Sequence, residues 1–367
     1  MIIPNTMRAF VLTGHGDMDK LVFHNDWPVP QPGAGEVLIQ VKACGLNNTD
    51  VNTRTAWYSK AVNENTTGSA FAKVDEDDAA WGGVSLEFPR IQGADVCGVV
   101  VAVGDGADTS LISKRILIDT WLRDWDNPLD LDKCGYFGSE LDGGFAEYTK
   151  VNQAQVHPIE SELTDAELAT FATSSITAEN MLNRARVGAD DIVLIPGASG
   201  GVGSALIQLA NRRGATTIAM ASTDKHAEIS TLNPAAILPR SPEDLKAALF
   251  DAIGHSTVTV VADVVGGTMW PSLIDALARG GRYTCAGAIA GPIVEMDLRT
   301  FYLRDLTFTG ATIVAPGVFA DLVGYIERGE IQPILAKTFP LGQLHAAQTA
   351  FIEKKHIGNI VVTHDMN

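Results

Sequence analysis

The run Gly197-Ala198-Ser199-Gly200-Gly201-Val202-Gly203 follows the apolar stretch Asp191–Pro196 and opens an amphipathic segment, Val202–Arg213. Glycines let a chain turn tightly and let its backbone approach a pyrophosphate. The free N–H groups and partial positive charge of a helix N-terminus then receive the anion. A glycine triplet alone is weak evidence, but a strand before it, a helix after it and a second strand at Thr216–Ala221 supply the context the motif requires. Ser199, Gly200, Gly201 and Val202 are therefore the expected pyrophosphate contacts. An NAD site places an acidic residue at the end of the second strand, for the ribose 2′-hydroxyl. Here that position falls on Ala221 or Ser222, before Thr223, Asp224 and Lys225. Ser222, Lys225 and the later Arg240 suit a 2′-phosphate, so NADP(H) is the expected cofactor. Val264 and Val265, after Asp263, are expected near the ribose or nicotinamide. Ala286-Gly287-Ala288 are expected to bring backbone groups to the carboxamide.

Around this loop, strands and helices alternate from about Ser161. Asp191–Pro196, Thr216–Ala221, Thr257–Val265 and Gly281–Ala286 read as strands, with helices at Val202–Arg213 and Ser272–Ala278, the pattern of βαβ units on a parallel sheet. Thr164 and Glu167 form a capping-box signature for a helix start. The N-terminal part differs. Met7–Thr13, Glu36–Ala43, Ala94–Gly104, Arg115–Thr120 and Gly144–Val151 read as short strands between Gly- and Pro-rich turns, which predicts a barrel-like β unit. The polar stretch Ser59–Leu86 interrupts it and reads as a long surface loop with one helical turn. The tail reads as helix, strand, helix and strand from Ala320 onward. The chain of 367 residues implies two domains. A net charge of −17 argues against nucleic acid or anionic membrane as partner. Apolar runs are too short to span a bilayer and no secretory signal is evident, so a cytoplasmic protein is expected. The four cysteines (Cys44, Cys97, Cys134, Cys285) are scattered, which indicates free thiols.

The segments PVPQPGAGEVLIQVKACGLNNTD, FPRIQGADVCGVVVAVG (88–104), DGGFAEYTKV (142–151), the glycine loop, VADVVGG (261–267), CAGAIAGP (285–292) and FPLGQLHAAQTAFIEKKHIGNIVV (339–362) together resemble the medium-chain dehydrogenase/reductase superfamily. The resemblance implies an α/β fold: a GroES-like β-barrel catalytic domain over 1–160, rejoined by 313–367, and a doubly wound Rossmann domain over 161–312. The zinc alcohol dehydrogenases of this superfamily carry a cysteine in a GxCxxD segment, a GHE segment and a later cysteine before a Thr-Ala pair. Here the first reads Gly45-Leu46-Asn47-Asn48-Thr49-Asp50, the second Gly93-Ala94-Asp95, and the third Phe171-Ala172-Thr173-Ser174-Ser175-Ile176-Thr177-Ala178. Catalytic zinc takes Cys, His and carboxylate ligands. Of that set only Asp95 remains, so no metal ligand is nominated.

Without a metal to polarise oxygen, the first segment is similar to that of quinone oxidoreductases and enoyl or alkenal reductases. Those implied relatives pass hydride from NADPH to a carbon conjugated to a carbonyl, and the oxygen is stabilised by hydrogen bonds and then protonated. The resemblance nominates Asn47 as oxyanion donor and Tyr58 as pocket phenol. Asp50 (with Arg54 as ion-pair partner) and Asp95 are nominated as ordering groups, Asp95 by fixing a neighbour or touching the ribose. Each has an ordinary structural alternative: turn capping for Asn47, packing against Trp57 for Tyr58. Trp57, Trp81, Trp121 and Trp125 line either a substrate pocket or a core. The expected activity is reduction of quinones or α,β-unsaturated carbonyls. A zinc-free alcohol or aldehyde dehydrogenase and a non-catalytic NADPH-binding protein stay open. The family implies a homodimer, formed through the β-prone segment Leu306–Val314.

Overall fold

The structure, a computed structural model, describes residues 2–82 and 85–364. Six parallel strands form the sheet of the βαβ half. Their spatial order is Ala236–Pro239, Thr216–Ala221, Ile192–Pro196, Val258–Asp263, Leu277–Cys285 and Thr307–Gly310. The central strands are apolar on both faces because helices cover both; Val193, Leu194, Ile195, Val260 and Val261 are fully buried. The strand order reverses between Ile192–Pro196 and Val258–Asp263. At such a switch point the loops beyond the strands' carboxyl ends diverge and leave a crevice for a ligand.

A second sheet of seven strands, six in one path and one branching from it, makes the barrel. Its hub is Glu36–Gly45, which pairs antiparallel with Asp95–Val103, Tyr148–Asn152 and Asn359–Thr363. The last of these runs parallel to Leu335–Pro340, so the C-terminal strands return to the N-terminal sheet. A hairpin of Thr6–Leu12 and Leu21–Pro28 packs beside it.

Several elements depart from the sequence reading. The strand expected at Gly144–Val151 begins at Tyr148, because the N–H groups of Gly143 and Gly144 donate to Ile91 and Gly93 outside any ladder. The capping box of Thr164 and Glu167 forms, but its helix stops at Leu168. A new helix, Ala172–Arg184, follows; neither it nor Leu245–Ile253 nor the strand Leu21–Pro28 stood out in the sequence. The helix read at Ser272–Ala278 lies at Trp270–Asp275, started by Pro271 in its first turn.

Among its described residues the 59–86 stretch contains one short helical turn, Glu76–Asp78, but it is more than a surface loop. Val62, Ala79, Ala80 and Leu86 are buried. The N–H of Thr66 donates to the carbonyl of Ile289 at 3.1 Å, which ties this stretch to the loops beyond the parallel sheet. Gly83 and Val84 within it lie outside the described residues.

Candidate active site

A cleft of about 610 Å³ runs from the carboxyl ends of the parallel strands to the helix Asn48–Arg54 of the barrel. One end is built by backbone. Gly197 sits at φ +66, a conformation that costs a side-chain-bearing residue energy. A Cβ on Gly203 would collide with the Gly197 carbonyl oxygen, so glycine there lets the helix Gly201–Arg212 start directly beneath the turn. At Gly200 an added Cβ would find only the Gly197 oxygen, 3.5 Å away. The chain is thus open where an anion would approach the helix N-terminus. Ser199, Gly200, Gly201, Val202, Val264, Val265, Ala286, Gly287 and Ala288 all line the cleft.

Ser222, Lys225 and Arg240 line it too, beside Asp224 and Ser241. Lys225 has a second task. Its Nζ donates to the carbonyls of Lys354 at 2.6 Å and His356 at 2.8 Å. Burial lowers its pKa, with Asp224 acting against that and Arg240 adding to it. Two of its three donors are therefore spent on holding the C-terminal segment against the Rossmann half. Gly358 continues this seam by donating to the Ser199 carbonyl at 3.0 Å. Arg240 is exposed and makes no ion pair among the described residues.

The other end is built by side chains. Asn47 caps the helix Asn48–Arg54, and its backbone N–H donates to Asp50 Oδ2 at 2.7 Å. Asp50 is buried, which pushes its pKa to about 7. The N–H groups of Asn47 and Gly93 oppose that rise and the charge of Asp95 adds to it. Asp95 is 1% exposed, and burial raises it to about 6, opposed by the bonds from Thr173 and by the proximity of the Asn47 amide. The backbone N–H of Thr173 reaches Asp95 Oδ1 at 2.8 Å, and the Thr173 hydroxyl donates to the same oxygen. The Tyr136 phenol meets Thr173 Oγ1 at 2.6 Å. Asn47 Nδ2 lies near Asp95, yet it is buried with no acceptor in bonding geometry among the described residues. Tyr58 lies in the cleft wall, its phenol raised by burial and held by Thr49 and Asn52. The rings of Trp81, Trp121 and Tyr136 meet edge to face with centroids 5.3 to 6.4 Å apart. With Trp57 they form an aromatic wall.

Two family models match. Residues 33–161 fit the alcohol dehydrogenase GroES-like domain and residues 201–328 the zinc-binding dehydrogenase domain. A solved structure of a candidate alcohol dehydrogenase from Sinorhizobium meliloti 1021 is 44% identical, with 99% of this chain and 98% of that one covered at a TM-score of 0.89. The chain belongs to the medium-chain dehydrogenase/reductase superfamily. A quinone oxidoreductase of Lama guanicoe is 24% identical over 93% of this chain and 92% of its own. An acryloyl-coenzyme A reductase of Metallosphaera sedula is 23% identical over 97% and 100%.

Zinc is implied by the superfamily, but the donors present here do not fit it. The fold brings together Asn47, Asp95 and Thr173, from the three segments that hold zinc in the metal-dependent members. An amide, one carboxylate already bonded to a threonine, and a hydroxyl do not make a zinc set. Among the described residues no three His, Cys, Asp or Glu side chains converge as ligands. A dinucleotide does fit: the glycine turn leaves open the space a pyrophosphate needs.

Some placements correct the sequence reading. Asp50 does not pair with Arg54. Arg54 is fully buried and donates instead to the carbonyls of Gly16 and Gly68 and to Gln348 Oε1. It therefore ties the 59–86 stretch and the C-terminal helix Leu344–Ile352 to the barrel. Asp50 and Asp95 stand behind the cleft wall, not in it, and Trp125 is not part of the wall. Thr173 and Tyr136 were not nominated. The missing cysteine of the third segment pointed to the region of Thr173; Tyr136 sits in a two-residue strand with no local signal.

Proposed function

We propose that this chain reduces quinones or α,β-unsaturated carbonyls by hydride transfer from NADPH, without catalytic zinc. The observation that carries the reading is that the three zinc-holding segments instead assemble an Asn47, Asp95 and Thr173 cluster beneath an aromatic-walled cleft. Bound NADPH would supply the hydride. The backbone from Ser199 to Val202 would hold its pyrophosphate, Ser222 and Arg240 its 2′-phosphate, and Val264, Val265 and Ala286–Ala288 its nicotinamide half. Lys225 would add its remaining donor. Asn47 Nδ2, a desolvated donor with no partner, would take the oxygen on which charge develops; such donors are worth most where water is excluded. Trp57, Trp81, Trp121 and Tyr136 would bind a flat acceptor and exclude water. Tyr58 would offer a second phenolic donor. Asp50 acts through Asn47, whose backbone it orients.

The test is an assay of NADPH and NADH oxidation over a panel of quinones and enones, before and after dialysis against a chelator. NADPH-dependent turnover that survives chelation is expected; none on any acceptor sinks the proposal. The relative from Sinorhizobium favours a second reading, alcohol or aldehyde oxidation, which faster turnover of alcohols with NADP would establish. We also propose a homodimer. The strand Thr307–Gly310 is a sheet edge, and Leu298, Tyr302 and Leu303 stand exposed near it in sequence. A monomeric sedimentation profile at micromolar concentration would contradict this.

A further inference from the structure

Asp95 is almost fully buried, and among the described residues the hydroxyl of Thr173 is the one group bonded to it that can pass a proton on. Asn47 also adjoins the carboxylate, but a side-chain amide does not relay protons. From Thr173 the path continues to the Tyr136 phenol at 2.6 Å, a contact in which either oxygen can donate. Thr173 and Tyr136 both line the cleft, whereas Asp95 does not. The three groups thus form one file of exchangeable hydrogens between a sealed carboxyl and the place where substrate would sit.

We propose that Asp95, Thr173 and Tyr136 are a proton relay, with Tyr136 the donor to the substrate oxygen and Asp95 the proton reservoir behind it. The proposal rests on the reductase reading above. The electron pair arrives as hydride from the reduced nicotinamide and forms a C–H bond at the conjugated carbon, and the nicotinamide leaves oxidised. The substrate oxygen takes the Tyr136 phenolic proton. Tyr136 takes the Thr173 hydroxyl proton, and Thr173 takes the proton of the Asp95 carboxyl. A carboxylate remains, and once product has left the open cleft, water returns the proton along the same file in reverse.

The surroundings suit a reservoir. The titratable groups around Asp95 are Asp50, Cys44 and Tyr136, with Tyr58 beyond, and among the described residues no cation is a leading influence on it. Burial holds its pKa at about 6, so the acid form stays populated in weakly acidic and near-neutral solution. The two rotors reverse polarity together. With Asp95 charged, Thr173 points its hydrogen at the carboxylate. With Asp95 protonated, Thr173 turns to Tyr136 and frees the phenolic hydrogen for the cleft.

The test compares Thr173→Val, Thr173→Ser and Tyr136→Phe with the wild-type chain. Turnover should fall as pH rises through about 6. Thr173→Val should lower kcat by on the order of 10²-fold with KM little changed, and Thr173→Ser should restore most of it. Tyr136→Phe should reproduce the loss from the other end of the file, without altering the bonds to Asp95. Infrared titration of the carboxyl band, assigned by its absence in Asp95→Asn, supplies a readout independent of turnover. Its midpoint should rise in Thr173→Val, where the hydroxyl that favours the charged form is gone, and stay near the wild-type value in Thr173→Ser. Equal effects of Val and Ser, full activity of Thr173→Val, or an unmoved midpoint each overturn the relay. A wild-type chain that oxidises no NADPH with any acceptor overturns the functional reading; the carboxyl titration then still judges the relay.

Discussion

The two ends of the cleft recognise by different means. The glycine-loop end uses backbone. Its donors are N–H groups at a helix start, and its selectivity is for room, since a Cβ at Gly203 would strike the Gly197 carbonyl. The barrel end uses side chains on separate elements: Asn47 before a helix, Asp95 opening a strand, Tyr136 in a short strand and Thr173 in the first turn of another helix. Those groups are held away from water, with a donor left unpartnered and two carboxyls pushed up in pKa. Backbone suits an anion that is common to many enzymes. Desolvated side chains suit a reaction, because their electrostatic effect grows as water leaves.

The sharpest way to break this contrast is in the loop. Gly203→Val should abolish dinucleotide binding and lower the thermal midpoint, because the turn must distort. Gly200→Ala should leave the midpoint unchanged and still weaken binding in calorimetry, because its Cβ enters open space. Unaltered binding by Gly200→Ala would mean that the loop is not the pyrophosphate cradle. Next in size, Asn47→Leu should lower kcat by about 10²–10³-fold while cofactor affinity holds, as for other oxyanion donors. Equal loss of both would make Asn47 a structural cap.

Asp95→Asn probes the cost of the barrel end. The folded pKa of Asp95 is raised from 3.8 to about 6. Its contribution to stability is therefore full below the unfolded value and is lost as pH rises through the folded one. Above that range the buried charge costs about 3 kcal/mol. Asn keeps the shape and cannot ionise, so denaturant titrations should show the variant more stable than wild type at alkaline pH, with the gap closing in acid. A gap that does not depend on pH would remove the idea of a strained carboxyl. Smallest of all, Arg240→Ala should weaken NADPH binding about ten-fold and spare NADH, the loss expected of one charge-assisted bond. Lys225→Met should in addition cost about 1–2 kcal/mol of stability, because the carbonyls of Lys354 and His356 lose their donor.

Much of the frame was readable in advance. Thr216–Ala221 appeared where alternation and apolar run placed it, and the glycine loop led into its helix within a residue of expectation. The C-terminal strand also formed as read, at Asn359–Thr363. Less local features escaped. Leu21–Pro28 has no clean alternation and exists because Thr6–Leu12 pairs with it. Arg54 reads as an ion-pair partner for Asp50, yet it is buried among carbonyls that come from positions 14 and 38 residues away and a glutamine 294 residues away.

Local composition was enough to set the parallel sheet, the barrel strands and the glycine loop, because each depends on neighbours in the chain: periodic burial, turn glycines and a helix start. It also showed Asn47, Ala94 and Thr173 in the three segments where the metal-dependent members carry their ligands, since residue types are visible in any register. The union of Asp95 with Thr173, 78 residues apart, and of Thr173 with Tyr136, 37 apart, needed the packed fold. So did the pKa values, because desolvation comes from every chain segment packed around a group and from none of them alone.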